Sequence, residues 1–112
     1  MSQLEVLREH EGDVAIISFH GEFDYAEMGT AQEEICAAEA REPAILLLDL
    51  TDLKFMDSSA VRVILQADGR AREQARRLVL VTGNGPPLRV LSILGLTDRL
   101  DVVADRAAIL HP

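Results

Sequence analysis

Aromatic side chains are scarce in this sequence: among its 112 residues there are no Trp, one Tyr and three Phe. Hydrophobic residues still make up 48% of the chain, so it can bury a substantial core. With so few aromatic rings, that core must consist mostly of Leu, Val, Ile and Ala. The length predicts a single domain spanning residues 1–112, because domains most often contain about 100–150 residues.

Cysteine is almost absent as well, and the single Cys36 excludes a disulfide within the chain. The three His residues are scattered, and no Cys/His cluster has the spacing of metal ligands. We therefore expect neither a metal site nor a cofactor. Cys36 borders the apolar stripe of a predicted helix, where we interpret it as a packed small hydrophobe rather than a reactive thiol.

Basic residues are outnumbered: eleven Lys and Arg stand against nineteen Asp and Glu, for a net charge of −8. This balance disfavours binding to nucleic acid or to an anionic membrane, and it permits a basic partner. The N-terminal stretch MSQLEVLREHEGD is charged and lacks the apolar centre of a signal peptide. No apolar run approaches the roughly 18–20 residues of a membrane span. We therefore expect a cytoplasmic protein.

Apolar periodicity predicts alternating strands and helices. The predicted strands are Leu4–Glu9, Val14–Phe23, Ala44–Leu50, Leu78–Gly83 and a short one at RLDVV. The predicted helices are Tyr25–Arg41, Ser58–Arg77, a third with the sequence PLRVLSIL that the turn NGPP starts and that ends at Gly95, and a final helical turn at DRAAIL. This order predicts an α/β fold with a mixed, mostly parallel sheet of four to five strands and flanking helices.

The stretch KFMDSSAV, Lys54–Val61, stands between a buried strand and an amphipathic helix. It presents Asp57, Ser58 and Ser59 together at the start of the helix. Asp and Ser are preferred N-cap residues, whose side-chain oxygens stabilise a helix by about 0.5–2 kcal/mol. Capping is therefore one interpretation of the triplet. Phosphorylation of a serine is another, and the two are compatible because a helix N-terminus tolerates a phosphate.

Three blocks of the sequence together resemble the STAS domains, in particular the bacterial anti-sigma factor antagonists. The blocks are HGEFDYA, LLLDLTDLKFMDSSAVRVIL and LSILGLTDRLDVVADRAAIL. The resemblance covers nearly the whole chain in one register. One departure is Ala60, where the family usually has Gly. Ala favours a helix over Gly by about 1 kcal/mol, so the fold is kept, while the change bears on how closely a partner backbone can approach.

The resemblance implies a switch in place of an enzyme activity. In this family the unphosphorylated protein binds an anti-sigma factor that is also a serine kinase, and a sigma factor is released. The kinase then phosphorylates the first serine of the Asp-Ser-Ser triplet, which is Ser58 here, and the phosphoprotein no longer binds. A serine phosphatase is a further expected partner.

The predicted partner-binding surface joins the carboxyl ends of strands, where α/β proteins place their sites, to the first turn of the second helix. Its expected members are Glu22, Asp24, Phe55, Met56, Asp57, Ser59, Arg62 and Val63. Arg62 stands four residues after Ser58 and could pair with a phosphate there. For Phe55 and Met56 the alternative is core packing, for Val63 it is cover by a neighbouring element, and for the two acidic residues it is a solvated loop.

Other functions fit the sequence less well. A STAS module of another signalling assembly or of a transporter is the alternative within the family, but such members often lack the serine found at Ser58. A serine hydrolase would need a base and an oxyanion hole, yet there is no G-x-S-x-G and no His near Ser58 or Ser59 in sequence. A small-ligand sensor would use the loop TGNGPP. That loop lacks the Lys and the Gly spacing of a phosphate-binding loop, so we interpret it as a turn.

Overall fold

The computed structural model describes residues 3–112, so the first two residues of the predicted domain lie outside the described part. The five strands form one sheet in the order β1-β2-β3-β4-β5. They are β1 Leu4–Glu11, β2 Val14–Phe23, β3 Ile45–Met56, β4 Arg77–Val81 and β5 Val102–Val103. β1 and β2 are antiparallel, and every other neighbouring pair is parallel. The expected mixed, mostly parallel α/β sheet is therefore confirmed.

Four α-helices accompany the sheet within residues 3–112. They are α1 Met28–Glu39, preceded by a 3-10 turn at Tyr25–Glu27, then α2 Ser58–Glu73, α3 Pro86–Ile93 and α4 Ala107–Leu110. Asp24 and Asp57 cap the 3-10 turn and α2 with their side chains. α3 begins at Pro86, whose missing N–H costs nothing in the first turn of a helix.

The two faces of the sheet carry cores of different size. On one face, strand residues such as Ile17 and Leu48 pack with Ile35 of α1, Ile64 of α2 and Leu91 of α3, and all five are at most 1% exposed. This main core is aliphatic, as the composition predicts. On the other face lies a small cluster of three buried strand side chains, Ile16, Leu47 and Val81. Four partly buried residues pack against it: Val14 and Val103 of the strands, and Ile109 and Leu110 of α4.

Two predicted boundaries differ from the structure by four residues or more, and long-range pairing explains the larger error. β3 continues to Met56 instead of ending at Leu50, because its second half pairs with β2, with Leu53 beside Gly21. α2 ends at Glu73 instead of Arg77. After it the backbone turns through a left-handed residue, with φ of 54° at Ala75.

Cys36 is exposed, which corrects the expectation that it packs as a small hydrophobe. Its neighbour Ile35 is fully buried, together with Ala31 and Ala38 on the same stripe of α1. Successive residues of a helix point about 100° apart, so the position after Ile35 turns out of the core. A position at the border of the apolar stripe is therefore not enough to predict that a side chain is buried.

Candidate functional site

The carboxyl ends of β2 and β3 lie side by side and bring together two of the predicted segments. Glu22 is the register partner of Phe55, and Phe23 is the partner of Met56. The pairing continues one residue further, since the Asp57 amide donates to the Phe23 carbonyl oxygen at 3.3 Å. The acidic end of β2 is therefore held against the junction between β3 and α2.

Gly21 permits this arrangement. Its φ of +105° lies in a region that side chains rarely adopt, and a Cβ atom there would overlap the carbonyl oxygen of Gln3. That oxygen instead accepts a hydrogen bond of 2.9 Å from the Glu22 amide. A glycine at this position lets the start of β1 approach closely and fixes the backbone that carries Glu22.

Asp57 is the N-cap residue of α2. Its Oδ1 atom accepts hydrogen bonds from the amides of Ser59 at 2.8 Å and Ala60 at 3.4 Å. Its carbonyl oxygen accepts from the Val61 amide at 3.3 Å. The capping interpretation of the triplet therefore holds for Asp57.

The two serines differ in what remains free. Ser58 is the first residue of α2 and is exposed, and its hydroxyl makes no hydrogen bond within residues 3–112. Ser59 is half-buried, and its amide is tied to the carboxylate of Asp57. Because Asp57 caps the helix, the Ser58 hydroxyl is not needed as a cap.

Of the apolar residues expected at the surface, only Phe55 is there. Its side chain is 46% exposed, whereas Met56 is 4% and Val63 is 1% exposed. The last two lie in the core, which corrects the expectation that they contact a partner. Val63 lies one and two turns before Gln66 and Arg70, which bond across to Gln32 and Glu39 of α1. It is therefore on the side of α2 that α1 covers.

The charged side chains near Ser58 differ in whether they have a partner within residues 3–112. Glu22 and Arg62 are exposed, and neither makes an ion pair in the part of the chain that the structure describes. The half-buried Asp24 accepts a hydrogen bond of 3.1 Å from the Ala26 amide through its carboxylate. Directly after it, Tyr25 is 77% exposed.

The sequence pattern does not indicate Tyr25 as a surface residue, because it places Tyr25 at the start of the first predicted helix. The signal was present: an aromatic residue closely following two acidic residues at the end of a strand. We define the rim surface as six residues at this end of the sheet, and they are Glu22, Asp24, Tyr25, Phe55, Ser58 and Arg62.

A second polar group, also missed, lies on the sheet face that α4 covers. The Arg106 guanidinium donates to Asp49 Oδ2 at 2.6 and 3.0 Å, to Ser18 Oγ at 3.0 Å and to Glu9 Oε1 at 3.1 Å. These acceptors lie on β3, β2 and β1, so one side chain spans three strands. We call these four residues the Arg106 clamp.

Ionisation in the clamp follows from this geometry. Burial raises the pKa of the Asp49 carboxyl, but the hydrogen bonds from Thr51 and Arg106, with the charge of Arg106, outweigh it. The pKa of Asp49 therefore lies below its ordinary value of 3.8. The hydrogen bond to Asp49 in turn raises the pKa of Arg106. Both groups are held in their charged forms.

Two open clefts, of about 700 and 690 Å³, lie away from the rim surface. One is by the β1–β2 hairpin and the other by the ends of α1 and α2, at the opposite end of β3 from Ser58. Within residues 3–112, no group of three or more His, Cys, Asp or Glu side chains is placed to hold a metal ion. No helix in the same range is long and apolar enough to cross a membrane.

Comparison with known proteins identifies the family of this chain. The sequence matches the STAS domain over residues 5–108. The anti-sigma-B factor antagonist of Listeria monocytogenes is 27% identical over 96 residues, which cover 86% of this chain and 84% of that protein. The anti-sigma F factor antagonist of Paenibacillus polymyxa is 29% identical over 94 residues, covering 83% and 80% of the two chains.

A solved structure extends the comparison to the fold. An anti-sigma factor antagonist from Mycobacterium paratuberculosis has a TM-score of 0.88 at 20% identity, and the match covers 96% of this chain and 91% of that one. At this level of identity the likeness shows the shared fold. The family match, by contrast, spans nearly all of the sequence. The chain therefore belongs to the STAS domain family.

Proposed function

We propose that this protein is an anti-sigma factor antagonist, switched off by phosphorylation of Ser58. The protein acts in the cytoplasm. In its unphosphorylated form it binds an anti-sigma factor that is also a serine kinase, and the sigma factor is released. The kinase then modifies Ser58 and binding ends until a serine phosphatase removes the phosphate. The observation that carries the proposal is the exposed Ser58 hydroxyl, free of hydrogen bonds in the described chain, at the start of α2.

Relatives and motif support this function together. Two relatives that match more than four fifths of the chain are named as anti-sigma factor antagonists. The Asp-Ser-Ser triplet belongs to one of the three blocks that resemble the family. Ser58 is its first serine and is more accessible than Ser59. A kinase active site has to enclose the target hydroxyl, so accessibility favours Ser58.

The rim surface has the character of a protein-binding surface. Two of its six residues are aromatic and well exposed, with Tyr25 at 77% and Phe55 at 46%. Aromatic residues and Arg are enriched where proteins bind each other. The carboxylate of Glu22 and the guanidinium of Arg62 have no ion-pair partner in residues 3–112, so a partner could pair with both.

A phosphate on Ser58 should act mainly on the partner. It adds a charge of about −1.5 to −2 and three acceptor oxygens to a surface that already carries Glu22, Asp24 and Asp57. The added charge and bulk oppose close packing of another protein. The domain itself has no need to refold, because Ser58 is exposed and contributes nothing to the core.

We also propose that the domain has no catalytic activity of its own. Purified protein should not turn over a simple ester or a nucleotide. Ser58→Ala serves as the control, because contaminating activity would persist in it. Turnover by the wild type that disappears in Ser58→Ala would contradict the proposal.

An NMR titration with the partner kinase tests the location of the surface. Amide shifts should be largest at the rim surface and along the first turn of α2. The turn at Arg41–Pro43 serves as an internal control, because it precedes β3 whereas Ser58 follows it. Largest shifts at Arg41–Pro43 would show that the surface has been placed at the wrong end of the sheet.

A further inference from the structure

We propose that Arg62, and not the N-terminus of α2, holds the phosphate of phosphorylated Ser58. The inference rests on the proposed modification of Ser58. It concerns what the phosphate binds within the domain once it is present. Two observations carry it: the Ser59 and Ala60 amides at the start of α2 already have the Asp57 carboxylate as their acceptor, and the Arg62 guanidinium has no ion pair within residues 3–112.

A helix N-terminus usually binds a phosphate through its free N–H groups. Here the amides of Ser59, Ala60 and Val61 already donate to Asp57, the first two to its carboxylate and the third to its carbonyl oxygen. A phosphate could reach the first two amides only by displacing the Asp57 carboxylate. It would also be repelled by the charge of that carboxylate as it approached.

Arg62 stands four residues after Ser58, so both side chains lie on the same side of α2, one turn apart. It is exposed and has no ion pair within residues 3–112. Most other arginines are engaged with a carboxylate: Arg8, Arg70, Arg72, Arg76, Arg77 and Arg106. A phosphate on Ser58 therefore meets a guanidinium that has no bond to break, and the planar guanidinium can donate two parallel hydrogen bonds to it.

The pairing would give the switch a second effect. Before phosphorylation, Arg62 offers its positive charge to a partner. After phosphorylation the same charge is used within the domain, so the rim surface loses the charge of Arg62 as it gains an anion. Repulsion of the partner and loss of an attractive contact would then arise from a single modification.

The test uses protein in which phosphoserine is incorporated at position 58 during translation, so that no kinase is needed. Its second phosphate ionisation is titrated by ³¹P NMR in the wild type, in Arg62→Ala and in Arg41→Ala. Arg41 is an exposed arginine at the other end of β3 without an ion pair in the described chain, so its removal changes net charge equally. We expect Arg62→Ala to raise the pKa of the phosphate by roughly half a unit, and Arg41→Ala to leave it unchanged.

A second readout distinguishes the two possible sites for the phosphate. If Arg62 holds it, the Nε–H resonance of Arg62 should move on phosphorylation while the amides of Ser59 and Ala60 keep their bonds to Asp57. Large downfield shifts of those two amides, with a phosphate pKa unaffected by Arg62→Ala, would overturn the proposal in favour of the helix terminus. Failure of a kinase to modify Ser58 would refute the proposed function and leave this result standing.

Discussion

Two polar groups in this domain stand at the start of a helix, and they differ in what their charges contact. At α2, Asp57 caps the helix, while Glu22 and Arg62 nearby have no ion-pair partner in residues 3–112. At α4, the Asp105 carboxylate accepts a hydrogen bond of 2.8 Å from the Ala107 amide. The adjacent Arg106 donates hydrogen bonds to side chains on three strands. One group presents its charges outward, and the other uses them within the fold.

The difference separates structure from binding. Charges that satisfy each other across strands contribute to the stability of one arrangement, because breaking a partly buried pair leaves a charge without compensation. Exposed charges without partners add little stability, but they can attract and orient another protein. The Arg106 clamp therefore belongs to the fold, and the rim surface to the proposed function.

The largest expected effect is on binding at the rim surface. Ser58→Asp should weaken the complex with the kinase roughly a hundredfold, equivalent to about 3 kcal/mol, because it places a charge where the partner packs. Ser58→Ala should bind like the wild type and resist inactivation. Isothermal titration calorimetry with the kinase measures both. Equal affinities for the two variants would remove Ser58 from the interface.

The next effect contrasts the two arginines. Arg106→Gln should lower the free energy of unfolding by about 2 kcal/mol, since it breaks hydrogen bonds to a carboxylate that is mostly buried. Arg62→Gln should change it by less than about 0.5 kcal/mol, as for other exposed positions. Urea unfolding of both variants provides the comparison. If the two substitutions cost the same, the division between clamp and rim is wrong.

A smaller effect is expected at the cap of α2. Asp57→Ala should lower the free energy of unfolding by about 1 kcal/mol, because the amides of Ser59 and Ala60 lose their acceptor. Asp57→Asn keeps an oxygen in the same place and should cost less. Thermal unfolding of the pair separates the hydrogen bond from the charge. A larger loss in Asp57→Asn than in Asp57→Ala would argue against capping.

The smallest effect concerns pH and the clamp. The folded-state pKa of Asp49 lies below the ordinary value of 3.8, so the stability it contributes is present above that value. It is lost as pH falls through the folded-state pKa. Urea unfolding at about pH 6 and about pH 3 should therefore show the wild type losing its advantage over Asp49→Asn at the lower pH.

Asp98→Asn supplies the control for this titration. Asp98 is exposed and makes no ion pair in the range that the structure covers. The gap between this variant and the wild type should change little over the same interval. An Asp49→Asn gap that stays constant or widens at low pH would contradict the assignment of Asp49 to the clamp.

Local pattern predicts much of this molecule. Continuous apolar runs and helical stripes indicate the element order, and the Asp-Ser-Ser triplet correctly predicts that Ser58 stands at the start of a helix. Strand ends in a mostly parallel sheet lie at one rim, so the grouping of Glu22 with Phe55 also follows. These features depend on short stretches of sequence or on a general rule of α/β topology.

What could not be predicted depends on contacts between distant residues. Arg106 lies 57 residues from Asp49 and 97 from Glu9, so no local pattern indicates the clamp. The burial of Val63 depends on where α1 packs, and the length of β3 on its pairing with β2. In each case the contacts or the extent of a segment depend on an element that is distant in the sequence.

The most direct test of the proposed switch is mass spectrometry after incubation with the cognate kinase and ATP. Wild type and Ser59→Ala should each gain one phosphate, located on residue 58, and should then release the kinase. Ser58→Ala should gain none and stay bound. Phosphate found only on Ser59, or a Ser58→Ala protein that is phosphorylated and released, would contradict the account.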